Sequence, residues 1–170
     1  MYCRGINPDG INIGYDDGSE EGGYYNYFTG EGQFNVSGDI MSLINYEIPP
    51  KTMVGTFYNL FGGFGEYEDS PRDNFVDIVD ASKLVLSAKT LTSGCYYNMF
   101  ACCTSLTAAP ALPATELADM CYAYMFAFCP SLTIVPELPA TELAIACYGY
   151  MFAGCTALTT APDLPATSLA

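Results

Sequence analysis

The chain has 170 residues, 51% of them apolar, with 19 acids against 5 Lys+Arg and a formal net charge of −14. So acidic a surface repels nucleic acid and anionic lipid, and the apolar content excludes a disordered chain. The sequence contains no His, which excludes a Ser-His-Asp or Cys-His site within the chain and removes the commonest metal ligand.

Residues 1–20 carry Arg4, Asp9, Asp16, Asp17 and Glu20 without an apolar core, so no signal peptide is visible. The acids of Asp16–Glu21 lack the spacing of an EF-hand loop and read as a solvated loop rather than a calcium site. A Tyr-rich stretch comes next (Tyr24, Tyr25, Tyr27, Phe28), and the loose alternation of Phe34 to Leu43 reads as one or two strands. Residues 1–52 are thus expected to form a β-containing cap on the rest of the chain.

From about residue 53 the chain repeats. Phe57-Tyr58-Asn59-Leu60-Phe61 resembles the later Tyr96-Tyr97-Asn98-Met99-Phe100, and an insertion over 62–74, with Glu66, Glu68, Asp69 and Asp73, interrupts this first copy. Those acids also read as solvated. Phe75 and Ile78 then stand in the places later held by Cys103 and Leu106, and Leu86 to Leu91 matches Leu112 to Leu117. Beyond it, Cys95, Cys121 and Cys147 recur every 26 residues, and 15 positions of the period are identical in three copies, CYxxMFAxCxxLTxxPxLPATxLA. The units are placed at 53–91, 92–117, 118–143 and 144–170.

Within each unit, Cys95, Met99, Phe100 and Cys103 (and their copies) fall at i, i+4, i+5 and i+8, one stripe of a short helix. The adjoining LTxxPxLP cannot continue a helix through two prolines and reads as a short strand and turn, with Leu106 and Leu112 inward. The expected fold is therefore an α/β repeat solenoid of the leucine-rich-repeat type, about four units of 26 residues, each a helix plus a strand.

The layout resembles BspA-like leucine-rich repeats. Met99-Phe100, Met125-Phe126 and Met151-Phe152 stand at that family's Ala-Phe place. Cys103, Cys129 and Cys155 stand at its cysteine, and Leu106, Leu132 and Leu158 at its strand leucine. The resemblance covers residues 53–170, though this unit is 26 residues long and so longer than is common in the family. It implies a bacterial surface-exposed or secreted protein used in adhesion to host or cell-surface ligands.

The regular cysteine positions read as a ladder of buried thiols, with disulfides between neighbouring units as the alternative. Cys3 and Cys102 fall outside the pattern. Tyr96, Tyr122 and Tyr148 are expected half-buried, with their hydroxyls at the surface. The variable slots Ala108/Ile134/Thr160 and Ala111/Glu137/Asp163 border the strand, beside a threonine row, Thr107, Thr133 and Thr159. Thr107, Thr133, Thr159, Ile134, Glu137 and Asp163 are the candidate ligand face, with a turn-closing role as the alternative for the threonines. No motif singles out a catalytic pair among the acids, no metal site or cofactor is indicated, and no apolar run is long enough to span a membrane. The functional expectation is a non-enzymatic adhesion module for a protein or glycan. The alternatives are a structural spacer that displays another domain and a carboxylate-based glycan hydrolase. The last unit lacks a polar cap, which suggests self-association through that end or a longer natural chain.

Overall fold

The computed structural model describes residues 33–43, 57–62 and 77–168. The readings placed on Cys3, the acids of 16–21, the Tyr-rich stretch, the insertion acids and Phe75 lie outside the described residues. Among the described residues there are two strands, β1 (Gln33–Asp39) and β2 (Asp77–Val85), one 3₁₀ turn (Ile40–Leu43), and no α-helix. The expected α/β leucine-rich-repeat solenoid, with a helix in every unit, is overturned.

The reason lies in where the N–H groups of the CYxxMFAxC segment go. In an α-helix all of them would turn back four residues. Here they alternate. Cys95, Tyr97, Met99, Ala101 and Cys103 donate three residues back, to Thr92, Gly94, Tyr96, Asn98 and Phe100. The residues between them, Gly94, Tyr96, Asn98, Phe100 and Cys102, donate instead to Asp119, Cys121, Ala123, Met125 and Ala127 of the next unit at 2.8–3.1 Å. The third unit repeats this toward the fourth, from Tyr122 to Cys147 and from Phe126 to Met151. The segment is a run of tight turns whose every second peptide points along the stack. A nine-residue helix is marginal alone, whereas a stacked copy of the same sequence supplies an aligned row of carbonyls.

Such turns need a left-handed residue at every fourth position. Gly94, Asn98 and Cys102 have φ of 59°, 55° and 64°, and Met120, Tyr124 and Phe128 repeat the pattern at 53°, 55° and 58°. Each left-handed L-residue costs about 1–2 kcal/mol. The bonds between units and the packing below offset that cost. Gly154 (φ 73°) also has a steric reason: a Cβ there would lie 2.7 Å from Cδ1 of Phe128, whose ring rests on it.

Two further rows of contacts join the units. β1 pairs in parallel with β2, from Gln33↔Asp77 to Asp39↔Val85, with irregular register after Phe34 and Asn35. The same row continues as single bridges, Asp80↔Ala108 and Ala108↔Ile134. The expected strand of each later unit is therefore reduced to one bridged residue, because the prolines beyond it bring no N–H. The third row joins Thr90 to Glu116 and Glu142 to Ser168.

These rows enclose one core. Cys95, Tyr96, Met99, Phe100, Cys103 and Leu106 are fully buried, as are their counterparts in the third unit. Equivalent rings stack along the axis. Phe57, Tyr96, Tyr122 and Tyr148 succeed one another at 5.5, 5.4 and 5.8 Å, and Phe61, Phe100, Phe126 and Phe152 at 5.3, 5.6 and 5.8 Å. Stacked pairs of this kind contribute about 0.5–1.5 kcal/mol beyond burial. The half-buried place expected for Tyr96 and Tyr122 is corrected. Both are wholly buried, and the hydroxyls of Tyr96, Tyr122 and Tyr148 are buried without a hydrogen-bond partner. Phe57 fills the same slot in the first unit with no hydroxyl.

Candidate binding face

The seven described cysteines are all free, and all but Cys102 are buried. One column is held by its hydrogens: the thiols of Cys103, Cys129 and Cys155 donate to the carbonyls of Phe61, Phe100 and Phe126 at 3.3, 3.1 and 3.0 Å. A disulfide would remove these donors. Burial pushes the Cys103 thiol up to about 12 and raises Cys121 and Cys129 as well. The thiols of that column are buried core groups whose hydrogens are donated to backbone carbonyls.

All six residues of the expected ligand face are exposed, but they do not form one site. Two of the three threonines, Thr107 and Thr133, are occupied by the fold. Thr107 Oγ1 donates to the Val79 carbonyl (3.0 Å) and Thr133 Oγ1 to the Thr107 carbonyl (3.4 Å), so these hydroxyls tie one unit to the preceding one instead of closing their own turns. Ile134, bridged to Ala108 and two-thirds exposed, ends the same row. Nearby on that row, Asp80 is held below the usual carboxylate range by hydrogen bonds from the Ser82 side chain and backbone.

Glu137 and Asp163 are different. They flank one open groove of about 360 Å³ between the proline turns of the third and fourth units. Pro136, Pro139, Pro162 and Pro165 make up half of its eight lining residues. The proline rings bring no N–H to this wall, and its ionisable groups are the two carboxylates. Residues 91–170 contain five acids and no Lys or Arg, so no cation from this half of the chain balances the two carboxylates.

Two junctions earlier, between the first and second units, the chain supplies a cation itself. Lys89 Nζ donates to the Pro113 carbonyl at 3.3 Å. Pro113 is the counterpart of Pro139 and Pro165, and the slot of Glu137 and Asp163 is there the neutral Ala111. In later units the lysine slot holds Thr115 and Thr141.

A second outward feature was not foreseen. Tyr58, Tyr97, Tyr124 and Tyr150 form a surface column with ring centroids 5.0, 5.5 and 4.9 Å apart. Its signal in the sequence was a one-residue exchange: Tyr97-Asn98 becomes Ala123-Tyr124 and then Gly149-Tyr150. The ring moves one place along the chain and the column is kept.

Among the described residues no group of three or more Cys, Asp or Glu is placed to hold a metal ion, and no helix is long and apolar enough to cross a membrane. No family model, no curated protein and no solved structure matches this chain.

Proposed function

We propose that the protein is a non-enzymatic binding module, exposed on or released from a bacterial surface, that recognises a cell-surface protein or glycan through the outward slots of its repeat. The observation that carries this reading is the groove at Glu137 and Asp163, which are variable residues on an otherwise repeated frame. Residues that differ between units are free of the packing that fixes the rest, and loops on a rigid scaffold are where binding residues concentrate. The resemblance of residues 53–170 to BspA-like repeats supports the surface setting.

The test is an array of matrix proteins and glycans, probed with the purified chain at physiological salt and with reductant present. A saturable hit supports the reading. Silence across the array overturns it and favours a spacer that displays another domain.

A further inference from the structure

We propose that the groove between the third and fourth units takes a lysine side chain of a basic, extended peptide segment, its ammonium between Glu137 and Asp163 and its stem along the prolines. This rests on the binding-module reading and narrows it to one partner chemistry.

Three observations converge on that occupant. The first is charge: Glu137 and Asp163 lie one unit apart on a stack whose rings recur every 4.9–5.8 Å, and nothing basic occurs in residues 91–170. The second is hydrogen-bonding character. The two carboxylates on this wall accept and do not donate, which suits a ligand that only donates, and an ammonium has three donors and no acceptor. A sugar, whose hydroxyls both donate and accept, uses such a wall less fully. The third is the chain's own precedent: Lys89 already places its ammonium on the Pro113 carbonyl, the counterpart of Pro139 and Pro165. Where the chain brings its own lysine, the neighbouring slot is Ala111. Where the lysine is replaced by threonine, that slot is acidic. The apolar floor of Val135, Leu138 and the proline rings suits the methylene stem of a lysine, which packs on apolar surface while its head stays at the carboxylates.

The experiment is a fluorescence-anisotropy titration of the full chain with a short Gly-Lys repeat peptide. The same peptide with every lysine acetylated, which removes the charge and keeps the length, is the control. The expected result is saturable one-site binding of the lysine peptide and none of the acetylated one. E137Q/D163N weakens binding by about tenfold, as for two partly exposed charge pairs. E116Q/E142Q, which removes as much charge at another exposed pair, leaves it within about twofold. Equal loss in the two double variants would mean diffuse attraction to an acidic surface and overturn the proposal. So would equal binding of the acetylated peptide, or competition by spermidine at the peptide's own affinity. If an array hit is found and E137Q/D163N retains it in full, the groove assignment fails while the binding module stands. If neither the array nor the peptide registers, both fail.

Discussion

The two halves of each unit share a period and little else. In the turn ribbon (95–103 and its copies), most side chains are buried, alternate peptides are bonded to the next unit, and Cys, Tyr, Met and Phe recur almost unchanged. In the proline half (107–116 and its copies), bonds between units are sparse and the outward residues vary from Ala to Glu to Asp. The contrast shows how a stack divides its work. Where each layer is the packing surface of the next, the sequence must repeat; where it faces water, it can change and acquire a partner.

The strongest way to break this comparison is to cut a ring from the middle of the ribbon. Phe126→Ala removes a fully buried side chain stacked between Phe100 and Phe152. It is expected to cost about 3–5 kcal/mol in denaturant unfolding, whereas Glu137→Gln on the proline half should stay within about 0.5 kcal/mol. Equal effects would mean that the ribbon is not the core.

The buried thiols give a pH test. The Cys103 thiol sits near 12 in the fold against an ordinary 9.0. Above pH 9 the unfolded chain therefore loses a proton that the folded chain keeps. Stability from this group is fully present below 9.0 and is lost as pH rises toward 12. Each buried thiol that behaves so removes about 1.4 kcal/mol per pH unit across the window. Midpoint denaturant concentrations measured from pH 7 to 11 should be flat and then fall. A flat profile throughout would contradict the buried column.

The left-handed turns can be tested by two glycines. Gly94→Ala meets open space and should cost only the backbone conformation, about 1 kcal/mol. Gly154→Ala also drives a Cβ into the Phe128 ring and should cost more, about 2 kcal/mol, with the excess relieved when Phe128→Ala is added. Equal costs for the two glycines would show that the ring does not rest on Gly154.

The smallest expected effect has the opposite sign. Tyr122→Phe deletes a buried hydroxyl with no partner and keeps the stacked ring, as Phe57 already does in the first unit. A gain of about 1 kcal/mol is expected. A loss would mean that the hydroxyl is satisfied in solution.

Much of this was legible in the residues. The period, the inward side of Met99, Phe100, Leu106 and Leu112, and the free-thiol columns come from identity at fixed spacing. The strand β1 overlaps the segment whose alternation suggested one. The helix was not legible correctly, because apolar residues at i, i+4 and i+8 also fit a ribbon of tight turns that buries one side. Spacing reports which face is covered and is silent about where the N–H groups go. The six-residue face was likewise only part of a site. Thr107 and Thr133 look like ligand groups until their hydroxyls are seen on carbonyls one layer away, and the prolines look like punctuation until two turns are stacked.

What the sequence by itself determined is the repeat, the acidic surface and the set of residues that must be inside, since these depend on composition and order alone. What only the tertiary structure decided is which hydrogen bonds the repeat makes, and so whether each unit coils on itself or shares its backbone with the next. The groove at Glu137 and Asp163 belongs to that second class. Its walls come from two units 26 residues apart, and they meet only because stacked layers bring equivalent turns side by side.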